Sequence, residues 1–387
     1  MGGGFAGLAA AQALGRSVLN SKCTVTLLDA GTETAMIPAL PDYAAGLLPR
    51  EWITAPIQHL LPRHVAFAQT TVKQVRLQEH TIETTTGRRP FDYLIMAIGS
   101  AAPPPAQALK TIETYALTNL HDADTLKTAF ETHLQQQEQP EIIISGAGYT
   151  GLELAICLAR RARHDDIPLK IHLVEMKADI MTFLPPSQHK RVLSSIARHH
   201  IVLHTHCQIA DVSAQQVALS DGCIVAHPLL CRAEGTCAPV PLAEEQGVAT
   251  LGDGRAIVEP SLALAANPHV FLAGDTAAFS TPNGYLRKAV NFSYYAGAHA
   301  GRNVARCIAH RPVRPFHPID LGWVIPLGDD SVGQALGGLP LLGKMGLRLH
   351  YLMCGYRNYS ATNFLRLAGH AVRAGNNNPK HKRKEQP

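Results

Sequence analysis

Two rhythms of apolar residues alternate along the chain. LAAAQALGRSVLN (8–20) is small and apolar with scattered polar positions, which predicts a helix. CTVTLLDA (23–30) is an apolar run that predicts a strand ending in Asp29. RHVAFAQTTVKQVRLQEHTIETTTG (63–87) alternates and breaks like a strand meander. FDYLIMAIGS (91–100) is a continuous apolar run of buried-strand type that stops at Gly99, and AAPPPAQ then punctuates the chain.

The same order then returns. A helix is expected over 122–139, and EIIISGAGYTGLELAICLARRA (141–162) reads as strand, glycine loop and helix. LKIHLVEM (169–176) follows as a strand whose acid is Glu175, and 200–222 reads as another meander. NPHVFLAGDTA (267–277) is a short strand closing on Gly274-Asp275, which is expected to open a helix, and 288–309 is a helix. From about Pro315 the character changes to GWVIPLG, glycine-rich turns and a stretch (342–369) that mixes apolar and basic residues at helical spacing. Strand, glycine loop, helix, strand and acid thus occur twice, an internal duplication in architecture.

Each loop carries its own chemistry. In the second, Gly146 permits the tight turn, Gly148 lets the backbone approach a pyrophosphate, and Gly151 lets the helix pack close to its strand. Phosphates then sit at the helix N-terminus, where N–H groups and the dipole favour negative charge. Glu175 is placed to accept hydrogen bonds from ribose hydroxyls, and an acid there repels a 2′-phosphate, favouring NADH over NADPH. The first loop, MGGGFAGL, repeats this logic with Gly2, Gly4, Gly7 and Asp29, although only Met1 precedes it.

Composition narrows the class without changing this picture. With 387 residues, 46% apolar and 17% charged, the chain is of a size for two or three globular domains. The net charge of +5 owes much to the tail NNNPKHKRKEQP (376–387), read as a solvated terminus rather than a nucleic-acid arm. The eight cysteines form no CxxC, which argues against a zinc site and a disulfide framework. Cys231 and Cys237 are read as ordinary thiols. The histidine clusters at 198–200 and 204–206 are read as solvated or half-buried surface, so no metal site is expected. No signal peptide and no membrane-spanning run are seen, and the expected location is the cytoplasm.

With these motifs in this order, the chain resembles the flavoproteins with two dinucleotide-binding domains, the pyridine-nucleotide disulfide oxidoreductase superfamily. The resemblance covers about residues 1–305 and adds Ala97-Ile98-Gly99 and Gly274-Asp275 as matched motifs. It implies an α/β fold of two Rossmann-like modules, the NAD module inserted into a discontinuous FAD module, plus a C-terminal extension. The implied boundaries are 1–112 for the first FAD part (its first strand missing), 113–240 for the NAD(H) module, 241–315 for the second FAD part and 316–387 for the extension. FAD contacts are implied at Gly2, Gly4, Phe5, Ala6, Gly7, Asp29, Val72, Ala97, Gly99, Gly274 and Asp275. NAD contacts are implied at Gly146, Gly148, Tyr149, Thr150, Gly151, Glu153, Glu175 and Gly235.

Among these flavoproteins the chain is most similar to type II NADH dehydrogenases, because it lacks an early redox cysteine pair. That resemblance implies hydride transfer from NADH to FAD, then electron transfer to a quinone or other small acceptor, with no catalytic side chain beyond the flavin. Where that family carries glutamines on its quinone-side helix, Asn291 and Tyr295 stand as acceptor-side candidates. The segment LPLLGKMGLRLHYLMCGYR (339–357) is expected to touch the cytoplasmic face of the inner membrane, or else to pack on the flavin domain or form a homodimer contact. Sulfide:quinone oxidoreductases share the layout, and Cys354 is the one late cysteine that suits them. A nucleotide-binding sensor with decayed activity is the reading from a different class. The abrupt opening loop bears on it: either the start lies a few codons upstream of Met1, or a natively short chain holds FAD weakly.

Overall fold

The computed structural model describes residues 1–18, 23–242, 247–357 and 360–373; the basic tail lies outside them. The chain divides into two compact units, one of residues 1–35, 54–101 and 236–321, the other of 36–53, 102–235 and 322–387.

In the first unit the opening glycines lead directly into the helix Phe5–Ser17, with Gly4 as its N-cap. The strand Val25–Asp29 runs parallel to Val65–Gln69, so the start of the expected meander joins a parallel pair instead. The antiparallel remainder is Val72–Arg76, Thr81–Thr84 and Gly87–Pro90. Leu94–Met96 pairs in parallel with Asn267–Leu272. Met1 and Gly2 bridge these two pieces of sheet: Gly2 N–H donates to Leu28 O at 2.8 Å, and Ala97 N–H donates to Met1 O at 2.9 Å. The helix Val290–Ile308 packs on the opening helix through small residues. A Cβ on Gly297 would meet Ala6 O at 2.0 Å, and one on Gly301 would meet Ala10 O at 2.5 Å, so the two backbones approach where only glycine fits.

Gly274-Asp275 does not open a helix, contrary to the sequence expectation. It forms one 3₁₀ turn, Gly274–Thr276, and the chain then extends as the strand Ala277–Thr281 beside Ala256–Val258. The Thr276 hydroxyl donates to Ala273 O and Met96 O, tying the turn back to the sheet instead of propagating it.

The second unit centres on a five-stranded parallel sheet. Its order is Val202–His204, Lys170–Val174, Glu141–Ser145, Leu229–Arg232 and Thr114–Tyr115. Ile142, Ile143 and Ile144 are buried, as expected of a central strand covered on both faces. An antiparallel set, Ile209–Val212, Gln216–Leu219 and Ile224–Ala226, follows the sheet's edge strand in sequence. The C-terminal residues belong to this unit as the hairpin Gly322–Pro326/Ser331–Ala335 and the paired helices Gly343–Arg357 and Ala361–Arg373. Among the described residues no helix is long and apolar enough to cross a membrane.

Candidate functional site

The two glycine loops are built alike, hydrogen bond for hydrogen bond. In the first, Gly2 N–H donates to Leu28 O at the end of the neighbouring strand, and Gly3 N–H donates to Asp29 Oδ2 at 2.5 Å. In the second, Gly146 N–H donates to Val174 O at 2.8 Å, and Ala147 N–H donates to Glu175 Oε2 at 3.1 Å. Each acid also braces the turn after its strand: Asp29 Oδ1 accepts Gly31 N–H, and Glu175 Oε1 accepts Lys177 N–H.

The close approaches match as well. A Cβ on Gly7 would stand 1.7 Å from Gly2 O, and one on Gly151 would stand 1.9 Å from Gly146 O. Gly2 and Gly146, both with positive φ, face Ala97 O and Ala233 O at 2.2 and 2.4 Å from the ideal Cβ. Gly99 and Gly235 complete the correspondence, each at positive φ two residues further on. Ala233-Glu234-Gly235 is therefore the second unit's counterpart of Ala97-Ile98-Gly99. Gly4 and Gly148 cap the two helices, and nothing lies within 4 Å of a Cβ on either. Each loop thus presents an open helix N-terminus, which accommodates a diphosphate.

In the first unit the late motif reaches this cradle. Gly274 sits against Ala6: a Cβ on Gly274 would stand 3.0 Å from that of Ala6. Asp275 accepts Ser100 Oγ–H at 3.0 Å and Ser293 Oγ–H at 3.3 Å, so its carboxylate is fixed by two hydroxyls that sequence reasoning missed. A small pocket lies beside it, lined by Gly274, Asp275, Lys288, Phe292 and Ser293. Phe5 and Ala6 form the first turn of the opening helix. Val72 lies apart in its own strand, half-buried against the core. Of the acceptor-side candidates, Asn291 donates to Ile319 O at 2.7 Å, and Tyr295 is exposed with its ring edge-on to Tyr294.

In the second unit Tyr149 and Thr150 open the helix Tyr149–His164. Tyr149 stacks on Phe183 at 5.6 Å and meets Trp323 edge-on at 6.1 Å, an aromatic group beside the loop that spacing alone does not show. Glu153 is half-buried; burial, then the Asp42 charge, push its carboxyl well above the usual range. Tyr351 donates to Asp42 Oδ1 at 2.9 Å, and Arg160 stands 4.0 Å from the same oxygen. Cys157 and Cys354 are both buried, and burial raises both thiols. Their thiolate fraction is therefore small.

A doubled dinucleotide cradle with a Gly-Asp turn at the first defines a two-module dinucleotide-binding flavoprotein. The family model for pyridine nucleotide-disulphide oxidoreductases matches residues 1–300, and the chain belongs to that family. It is 24% identical to the demethylphylloquinone reductase NdbB of Synechocystis over 92% of this chain and 91% of that protein. It is 23% identical to the type II NADH:quinone oxidoreductase of Staphylococcus aureus over 89% of this chain and 90% of that one. Among solved structures it resembles NDH2 of Plasmodium falciparum, with TM-score 0.78, 14% identity and 97% of each chain covered. It also resembles the sulfide:quinone oxidoreductase of Aquifex aeolicus, with TM-score 0.75, 16% identity and 96% and 91% covered.

Proposed function

We propose that this protein is an FAD-dependent oxidoreductase that takes a hydride from NADH and passes electrons to a quinone. The observation that carries this reading is the pair of equivalent loops, each closed by a strand-end acid, with Asp275 beside the first alone. Near-complete alignment with relatives named as quinone reductases supports the acceptor class.

FAD, when bound, supplies a two-electron carrier between nicotinamide and acceptor. The chain's own part is binding and orientation. In this reading Gly2, Gly4, Phe5, Ala6 and Gly7 hold the FAD diphosphate, Asp29 takes the adenosine ribose, and Ala97, Gly99, Gly274 and Asp275 bound the rest of that cofactor, with Val72 at its periphery. Gly146, Gly148, Tyr149, Thr150 and Gly151 do the same for NADH, Glu175 takes its ribose, and Glu153 and Gly235 border it. Glu175 selects against NADPH by charge. Asn291 and Tyr295 line the acceptor side, Tyr295 offering an exposed ring for stacking.

The C-terminal helices suit a lipid surface. Met345, Tyr356, Leu365 and Val372 are exposed, and Lys344 adds a cation beside them. Peripheral contact with the cytoplasmic face of the inner membrane places such an enzyme beside its quinone. A sulfide-oxidising relay is disfavoured, because buried thiols with raised pKa are poor nucleophiles.

Steady-state NADH oxidation tests the activity. Turnover with menadione and with ferricyanide is expected; nucleotide binding without turnover on either acceptor would instead favour the sensor reading.

A further inference from the structure

A cluster at the edge of the second unit's sheet belongs to neither cradle. His172 lies in the strand Lys170–Val174, and His204 ends the edge strand Val202–His204, which pairs with it in parallel. Cys223 sits in the turn between Gln216–Leu219 and Ile224–Ala226. His172 Nδ1 stands 2.9 Å from His204 Nε2 and 3.9 Å from Cys223 Sγ, and all three atoms lie within 4.8 Å of one another. We propose that His172 Nδ1, His204 Nε2 and Cys223 Sγ bind a zinc ion, with water as the fourth ligand.

The outward nitrogens of both rings face carboxylates. His204 Nδ1 is 2.5 Å from Asp221 Oδ2, and His172 Nε2 is 3.6 Å from Glu141 Oε2. A carboxylate behind each imidazole is the arrangement that fixes the tautomer and raises the basicity of a ligating histidine. Asp221 also accepts Cys223 N–H at 3.0 Å, so one carboxylate orients two of the three ligands.

Without a cation these protons do not balance. With Nδ1–H of His204 donated to Asp221, its Nε2 is a lone pair aimed at His172 Nδ1. If His172 carries its proton on Nε2, toward Glu141, two lone pairs face each other at 2.9 Å. If it carries the proton on Nδ1, then Nε2 is a bare lone pair turned toward a carboxylate, and that atom is buried with no hydrogen-bond partner. A divalent ion between the inner nitrogens and the thiolate lets both outer N–H groups face acids.

The chemistry of the set selects the metal. Two imidazoles and one thiolate suit zinc, and bonds of about 2.0 Å to nitrogen and about 2.3 Å to sulfur give ligand separations of roughly 3.3–3.6 Å in a tetrahedron. The observed 2.9 and 3.9 Å bracket that range, and His204 Nε2 and Cys223 Sγ, within 4.8 Å of each other, close on a bound ion by side-chain movement. Cys223 is half-buried, so its side of the cluster is reachable from solvent. Such an ion would clip the 219–224 turn to the edge of the parallel sheet. The sequence expectation of no metal considered 198–200 and 204–206 alone, and spacing does not bring His172 and Cys223 near them; His206 is not part of the cluster.

The test is zinc uptake by the full chain after chelator dialysis, read by elemental analysis and by competition with a chromophoric chelator. One tightly held zinc per chain is expected. Cys223→Ser and His204→Gln should each weaken it at least about tenfold, and Asp221→Asn about tenfold through His204. Cobalt substitution should give a thiolate charge-transfer band that Cys223→Ser abolishes, and zinc should protect Cys223 from alkylation. No retained zinc in the wild-type chain, or equal retention by Cys223→Ser and His204→Gln with circular dichroism showing both folded, overturns the proposal. Because the readout is metal content, the outcome is independent of flavin and NADH.

Discussion

Asp29 Oδ2 accepts the backbone N–H of Gly3 at 2.5 Å, across 26 residues of sequence. The carboxylate expected to meet a ribose is thereby also the brace of the phosphate loop. Its counterpart in the second unit, Glu175 on Ala147, repeats the relationship. In the proposed reading, loop position and ribose recognition are therefore coupled in both modules.

Glu175 should decide the choice of nicotinamide. Its charge opposes a 2′-phosphate, and like charges brought together cost several kcal/mol. Glu175→Ala should lower the ratio of kcat/KM for NADH to that for NADPH by at least about tenfold. Some loss of NADH affinity accompanies it, because Ala147 N–H loses its acceptor. Parallel kinetics with the two nucleotides check this.

Asp275 should hold the flavin. Its two hydroxyl donors pre-position the carboxylate, and a hydrogen bond to a charged group contributes about 1.5–3 kcal/mol. Asp275→Ala should therefore weaken FAD retention by roughly 10–100-fold, with Ser100→Ala milder. The ratio of flavin to protein absorbance after desalting measures both, while the NADH module remains folded.

Glu153 should carry a pH signature. Burial, then the Asp42 charge, raise its folded pKa well above 4.5, so between the unfolded and folded values the folded chain holds this proton more tightly than the unfolded one. Its contribution is fully present below the unfolded value and is lost as pH rises through the window between the two pKa values. Glu153→Gln removes that loss. The variant should match the wild type near pH 4.5 and exceed its thermal midpoint increasingly toward neutral pH. A stability difference that does not change with pH would contradict the assignment.

The C-terminal helices should bind lipid. Burying a large apolar side chain contributes about 1.5–3 kcal/mol, so Met345→Glu with Leu365→Glu should cut co-sedimentation with anionic vesicles by roughly tenfold or more. Ferricyanide-linked NADH oxidation should be unchanged in solution, since both residues are exposed.

Much of this was legible in the sequence because it is local. Glycine spacing, the apolar strand before the second loop and the acid after each second strand are fixed by short-range geometry. What was not legible depends on distant residues. Ser100 reaches Asp275 across 175 positions, and Trp323 reaches Tyr149 only through the fold. Gly274-Asp275 suggested a helix start, but the Thr276 hydroxyl ties that turn to Met96 O and the chain continues as a strand. Gly235 was named from the resemblance, but that Ala233-Glu234-Gly235 is the counterpart of Ala97-Ile98-Gly99 shows only in the matching backbone approaches, because Glu234 replaces the apolar middle residue. His172, His204 and Cys223 likewise meet through sheet pairing and a turn.

The most direct test of the central claim is an anaerobic titration of the purified, FAD-loaded protein with NADH, followed by its visible absorbance. Bleaching of the oxidised flavin band at one equivalent of NADH, with recovery on adding menadione, is the predicted result. A protein that cannot take up FAD, or a flavin band that NADH leaves unchanged, would contradict it.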